Sequence, residues 1–356
     1  MNYRIEKLVA AMKEHNVDAA IISQKDNLRY FSGFTASEAV LFIHSNEYYI
    51  ITDFRYIEQA QIQCPGFQVI DAPGAKTAQF IKEKCSSLDV ARVWFEDSDI
   101  SFSTYLSYKE ALNPVELVPA KDTPSMLRIV KSADEVNNIR KAANLADRGF
   151  LHILDYVRPG VSEIDIALEL EFYLRKNGSE GLAFPIIAAS GKNGSLPHAE
   201  PSDKKLEMGD FLTLDFGCVV NGYCSDMTRT VALGEPSALL REIYDITLEA
   251  QLMALDAIKP GLTGIEIDKI ARDHITSKGY GNNFGHGLGH GVGINVHEAP
   301  SLSVRGNTVL EPGMLVTVEP GIYIPGTGGV RIEDLVVVTE DGYENLVSSR
   351  KDLIQL

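Results

Sequence analysis

The chain has 356 residues, 45% of them hydrophobic and 23% charged, the make-up of a globular protein with room for two cores. Its formal net charge of −16, without any Lys/Arg cluster, argues against nucleic acid and anionic membrane as partners. Charges at Arg4, Glu6 and Lys7 leave no apolar run for a signal peptide, and nothing approaches the about 18–20 apolar residues of a membrane span. With four cysteines that show no CxxC spacing, reduced thiols in a cytoplasmic protein are expected.

In chain order, Ile5, Leu8, Val9 and Met12 recur at helical spacing over residues 2–15. Residues 19–23 read as a short strand, and residues 40–43 and 48–52 as two strands joined by Ser45-Asn46-Glu47. Residues 77–84 read as helix and 93–96 as strand, which together make an α/β domain ending near residue 120. Asp53-Phe54-Arg55-Tyr56 is its most conspicuous polar-aromatic cluster and reads as a surface loop rather than a site. Pro119 and Thr123-Pro124 mark the boundary, giving domains at 1–124 and 125–356. Beyond it, residues 133–156 form a long helical run with Val136, Ile139, Ala143, Phe150, Ile153 and Leu154 apolar.

The second domain repeats itself. Arg158-Pro159-Gly160-Val161-Ser162-Glu163-Ile164-Asp165 matches Lys259-Pro260-Gly261-Leu262-Thr263-Gly264-Ile265-Glu266: a Pro-Gly break, then a Ser or Thr cap with an acid three residues on, as in a capping box. Each capped helix runs to a glycine, Gly178 or Gly279. The segment around His198 resembles that around His297, and residues 209–217 resemble 313–321. Each half therefore reads as helix, helix, histidine strand, carboxylate strand and returning strand, with a pseudo-two-fold axis between halves.

Residues 211–220 alternate and end at Asn221-Gly222, a type I′ hairpin signal. In that register Asp215 faces Thr228, Gly217 faces Asp226, and the two aspartates share one side of the sheet. In the second half Thr317 and Glu319 share a face, and so do Arg331, Glu333 and Leu335 beyond a loop at 325–329. Val316, Val318, Ile332, Val336 and Val338 serve the core. Any one of these carboxylates reads as an exposed or salt-bridged strand residue. Four together in apolar strands do not, because each unpartnered buried carboxylate costs several kcal/mol. Between the halves lies Gly285-His286-Gly287-Leu288-Gly289-His290-Gly291-Val292-Gly293, with glycine at every second position. Its alternation is not the G-x-G-x-x-G of a dinucleotide site. His290 supplies a nitrogen beside the carboxylates. An oxygen-rich set with one imidazole suits Mn²⁺, Co²⁺ or Fe²⁺ better than structural zinc. Two such ions about 3–4 Å apart could share a hydroxide that is nucleophilic near neutral pH. Cys218 and Cys224 lie on the same hairpin and read as packing residues.

Leu214-Asp215-Phe216-Gly217, Ser225-Asp226-Met227-Thr228-Arg229-Thr230, Gly287-Leu288-Gly289-His290-Gly291, Val318-Glu319-Pro320-Gly321 and Arg331-Ile332-Glu333-Asp334 resemble the motifs of the pita-bread metallopeptidases. That family includes methionine aminopeptidase, aminopeptidase P, prolidase and the metal-free creatinase. Residues 27–34 and 52–56 resemble the N-terminal domain of its proline-specific branch. The implied architecture is α/β (α+β): a creatinase-like N-terminal domain followed by a pseudo-two-fold catalytic domain. The resemblance implies two divalent metal ions, with Mn²⁺ favoured and Co²⁺, Fe²⁺ or Zn²⁺ compatible. It makes Asp215, Asp226, His290, Glu319 and Glu333 their ligands, with Asp226 and Glu333 bridging. It makes Glu319 the general base, and it sets His198 and His297 beside the scissile carbonyl. His286 is similar to a further pocket histidine. Arg331 matches an arginine beside the metal carboxylates, either as an ion pair or as a substrate contact. Phe184 and Tyr323 are candidates for an aromatic wall against proline, with core packing the stronger reading of each.

The implied substrates are peptides with proline at the second position, cleaved at the Xaa–Pro bond, and the implied assembly is a homodimer. Some prolidases carry an arginine just after the His-Glu-x-Pro segment, where this chain has Ser301. That departure favours an Xaa-Pro aminopeptidase over a strict dipeptidase. The alternative from another class is a non-catalytic peptide- or protein-binding module, disfavoured because all five ligand positions are filled.

Overall fold

The computed structural model describes residues 3–36 and 38–356. They divide into two compact units, Met1–Arg128 and Ile129–Leu356. Among the described residues no helix is long and apolar enough to cross a membrane.

In the first unit the helix Tyr3–Glu14 buries Ile5, Leu8, Ala11 and Met12, four residues on one helical face. Ala19–Ile22 is central to a six-stranded sheet, antiparallel to Ala39–His44 and parallel to Arg92–Phe95. Tyr48–Thr52 pairs with Ala39–His44 as the hairpin reading requires. The edge strands Gln68–Asp71 and Glu116–Pro119 and the helices Lys25–Ser32 and Ile57–Gln63 were not foreseen. The edge strands are short, with two exposed residues each, and so carry a weak apolar signal. Asp53 and Arg55 pair at 2.6 Å and Phe54 is exposed, as expected of a surface loop.

The second unit starts on a capping box that sequence reading did not pick out, Ser132 with Glu135, which opens the helix Ala133–Tyr156. Both expected capping boxes form: Ser162 with Asp165 opens Glu163–Lys176, and Thr263 with Glu266 opens Gly264–Ser277. The sheets lie between two apolar cores. Leu212, Leu214, Phe216, Leu315, Leu335 and Val337 enter the core beneath the helices Ala133–Tyr156 and Glu163–Lys176. Val316, Val318, Ile332, Val336 and Val338 enter the core beneath Ala238–Ala257 and Gly264–Ser277. Each side chain so buried contributes about 1.5–3 kcal/mol, which fixes the strand register on which the site depends.

The Asn221-Gly222 turn has φ of 50° and 78°, as a type I′ turn requires. Val220 faces Tyr223 and Asp215 faces Thr228. Two expectations need correction. The histidines do not sit within strands: His198 follows the 3₁₀ turn Gly191–Ser195 in irregular chain, and His297 immediately precedes the strand Glu298–Leu302. Pro197 and Pro201 flank His198 and have no N–H with which to extend a ladder. The loop expected at 325–329 is also shorter, since Ile324 pairs with Gly328 and Tyr323 with Gly329. Gly329 is required for close approach instead, because a Cβ there would collide with the Gly194 carbonyl.

Candidate metal centre

The site is built by five strands or the residues next to their ends. Phe211–Phe216 carries Asp215 on the face opposite Leu214 and Phe216. Asp226 sits between Tyr223–Cys224 and Met227–Ala232, where the hairpin ladder breaks. Glu319 and Glu333 flank a similar break, between the pairs Val318↔Asp334 and Gly321↔Arg331. His290 comes from Gly289–Gly291, wedged between Glu298–Leu302 and Leu315–Val318. Its neighbouring glycines explain the alternation: a Cβ at Gly289 would strike the Thr317 carbonyl, and one at Gly291 the Ala299 carbonyl.

Donor atoms of Asp226, His290 and Glu333 all lie within 4.8 Å of one another. His290 Nε2 stands 3.3 Å from Glu319 Oε1 and 3.6 Å from Asp226 Oδ2. His290 Nδ1 donates to the Gly291 carbonyl at 3.1 Å, which leaves Nε2 facing the carboxylates, the position for a proton or for a metal ion. Asp215 borders the group, with Oδ2 bonded to Arg331 Nη2 at 2.5 Å. Thr228 donates to Glu333 Oε2 at 2.6 Å, and Thr317 donates to Glu319 Oε1 at 3.1 Å while accepting from the His290 amide. The two threonines orient three of the five expected ligands. Sequence reading placed both on the right faces but gave them no role.

These carboxylates fit a cation. Asp215 Oδ1, Asp226 Oδ1 and Glu333 Oε1 are buried with no hydrogen-bond donor among the described residues. With protons alone, burial pushes the Asp226 and Glu333 carboxyls well above their usual range, and neighbouring carboxylates push them further. Burial also raises Asp215, against the opposing pull of Arg331. Burial would lower the His290 imidazole, but Glu319 and Asp226 raise it to about 9. Burial would raise Glu319, but His290 holds it at about 2. Positive charge at the centre of this group relieves every one of these conflicts, and the oxygen-rich donor set with one imidazole suits a divalent ion.

A cavity of about 570 Å³ opens on the group. His198, His286, His290 and His297 line it, together with Phe184, Pro185, Ile186, Pro197 and Pro201. His297 stacks edge-on to His290 at 4.4 Å between ring centroids, and both His297 and His198 are solvent-exposed. Tyr323 lies behind this wall, buried, with its hydroxyl 2.9 Å from His286 Nε2 and 2.9 Å from Arg331 Nη1. His286 Nδ1 faces the Gly287 carbonyl, and burial lowers its pKa, so its imidazole is neutral and accepts from Tyr323. Arg331 also donates to the Pro197 carbonyl at 3.3 Å, tying the His198 loop to Asp215. Cys218 and Cys224 point away, to the carbonyls of Ala142 and Ile294.

Residues 137–340 match the model of metallopeptidase family M24, and residues 4–130 match the Creatinase/Prolidase N-terminal domain. The chain is 48% identical over 353 residues to an uncharacterized peptidase, YqhT, of Bacillus subtilis, covering 99% of this chain and 100% of that protein. A structure described as an Xaa-Pro dipeptidase from Bacillus anthracis superposes with a TM-score of 0.96 at 47% identity, covering 99% of each chain. An X-Pro aminopeptidase structure from Thermotoga maritima gives 0.92 at 38% identity, covering 99% of this chain and 100% of that one. The chain therefore belongs to the M24 metallopeptidases, proline-specific pita-bread branch, and is a hydrolase dependent on divalent metal.

Proposed function

We propose that this protein is an Xaa-Pro exopeptidase, and that it acts as an Xaa-Pro aminopeptidase able to take dipeptides as well. The observation that carries the choice is the occupancy of Arg331. It is the one lysine or arginine among the described cavity residues, and Asp215, Tyr323 and the Pro197 carbonyl already hold it. A strict dipeptidase needs a cation for the product proline's carboxylate, and Ser301 lines the cavity where some prolidases have that arginine. The strict dipeptidase is the second reading, favoured by the likeness to the Xaa-Pro dipeptidase structure from Bacillus anthracis.

In this proposal Asp215, Asp226, His290, Glu319 and Glu333 hold two divalent ions, Mn²⁺ being best suited to the donor set. When bound, the ions supply Lewis acidity and lower the pKa of water into the neutral range. Glu319 accepts the proton of the attacking water. His198 and His297 donate N–H groups to the oxygen that develops negative charge on the scissile carbonyl. Phe184, Pro185 and Pro201 offer an apolar wall to the proline ring, whose amide nitrogen has no proton to be recognised. A homodimer is part of the same proposal, checked by light scattering.

Metal-stripped protein reloaded with Mn²⁺, Co²⁺ or Zn²⁺ tests the reading on an Xaa-Pro dipeptide and a matched Xaa-Pro-Yaa tripeptide. Cleavage of the tripeptide is expected. Cleavage of the dipeptide alone establishes the strict dipeptidase, and cleavage of neither by fully loaded protein favours a peptide-binding module.

A further inference from the structure

His297 is exposed at its ring, yet the backbone that carries it is clamped from below. Glu298 Oε1 accepts the Asn295 amide at 3.0 Å, and Asn295 Oδ1 accepts the His297 amide at 3.0 Å. Glu298 Oε2 pairs with Lys131 Nζ at 3.3 Å, with side-chain exposures of 5% and 2%. The carboxylate packs directly over Gly293, where a Cβ would collide with it. Lys131 is itself fixed: its amide donates to the Gly313 carbonyl at 2.9 Å, its ammonium donates to the Ile129 carbonyl at 3.2 Å, and Val130 bridges to Met314.

A buried ion pair adds little net stability over apolar residues of equal volume, but its directed bonds can hold irregular backbone in one geometry. His198 offers the contrast, since among the described residues no side chain is bonded to its amide and the chain on either side is irregular. We infer that Lys131 and Glu298 are positioning residues for His297. The pair holds the Glu298 carboxylate on the Asn295 amide, and Asn295 in turn sets the His297 imidazole against the substrate carbonyl. The inference rests on the role proposed for His297, so its experiment includes a readout that needs no substrate.

In Lys131→Met, kcat for an Xaa-Pro-Yaa peptide should fall about tenfold to a hundredfold with KM within about twofold, as expected for a misplaced reacting group. Lys131→Arg should recover most of the loss. In a His297→Ala background, Lys131→Met should cost no more than about twofold further, because residues that act as a unit are not additive. Equal losses in both backgrounds would overturn the inference. If Lys131→Met does not fold, the Lys131→Met, Glu298→Gln double variant takes its place, leaving no unpaired charge. Independently of activity, the His297 ring should give one sharp set of nitrogen-15 NMR signals in the wild type and broadened or multiple signals in the variant. Identical spectra would also overturn it, even if the peptidase reading itself failed.

Discussion

Glu333 and Asp334 are consecutive, both buried, and opposite in their degree of satisfaction. Asp334 accepts from Arg229 at 2.7 Å, Gln251 at 3.0 Å, Asn345 at 2.8 Å and Lys351 at 2.7 Å. Burial would raise its carboxyl, but Arg229 and Lys351 hold it below the usual range. Glu333 turns to the other side of the chain. There it keeps one oxygen without a donor, beside Asp226 and Glu319, and its carboxyl is driven up by burial and by those neighbours. The lesson is that burial alone does not set a carboxylate apart, whereas burial without donors leaves an oxygen that a cation would satisfy. The satisfied cluster also supports the other: Arg229 donates to the Glu333 carbonyl, and the Glu333 amide donates to the Thr228 carbonyl at 3.1 Å.

Substitutions should separate the two clusters. The largest effect is expected from Asp226→Asn, which should lower kcat/KM by about a thousandfold or more, roughly 4 kcal/mol of transition-state stabilisation. The same change should leave the metal-stripped protein as stable as wild type or more so, since it removes a buried carboxyl that folding otherwise forces to hold a proton. A clear loss of stability in stripped protein would contradict the contrast. Arg229→Met should do the reverse, costing about 3–5 kcal/mol of folding stability by leaving Asp334 buried and short of donors; chemical denaturation measures it. A cost under about 1 kcal/mol would mean that Gln251, Asn345 and Lys351 suffice. His198→Ala should bind metal normally and lose about a hundredfold in kcat, in line with removal of one oxyanion donor. Unchanged turnover would remove His198 from the mechanism.

The smallest effect is in pH dependence. Asp226 and Glu333 have folded pKa values above their unfolded ones, so folded stripped protein holds the extra protons, and its stability falls as pH rises above about 4. His290, raised to about 9, adds stability that is fully present below about pH 6.5 and lost as pH rises through 9. Metal replaces these protons. The stabilisation by Mn²⁺, read as a gain in melting temperature, should therefore grow from pH 5.5 to pH 8, equivalent to about 1.4 kcal/mol per pH unit for each proton displaced. A gain independent of pH would place the metal elsewhere.

What could be read in the sequence was local or repeated. Asn221-Gly222 fixed a turn and, through it, the side of the sheet on which Asp215 and Asp226 lie. Ser162 with Asp165 and Thr263 with Glu266 announced helix starts because both halves of each motif are three residues apart. What could not be read depends on distant partners. Gly328 and Gly329 have the composition of a turn, yet they pair with Ile324 and Tyr323 as strand residues, and Gly329 leaves room for the Gly194 carbonyl. Asp334 is indistinguishable in sequence from a site carboxylate, because Gln251 and Lys351, which satisfy it, lie far along the chain. Glu163 follows the Ser162 cap like an ordinary first-turn acid, yet it is fully buried and binds Ser190, Asn193 and Ser202. The Lys131–Glu298 pair escaped notice for the same reason.

The most direct measurement is the metal content of stripped and reloaded protein, read by plasma mass spectrometry after removal of free Mn²⁺, in wild type and Asp226→Asn. The account predicts about two ions per chain in the wild type and a clear loss in the variant. Wild-type protein that retains no metal, or a variant that retains as much as wild type, would contradict the claim that these unsatisfied carboxylates are the metal centre.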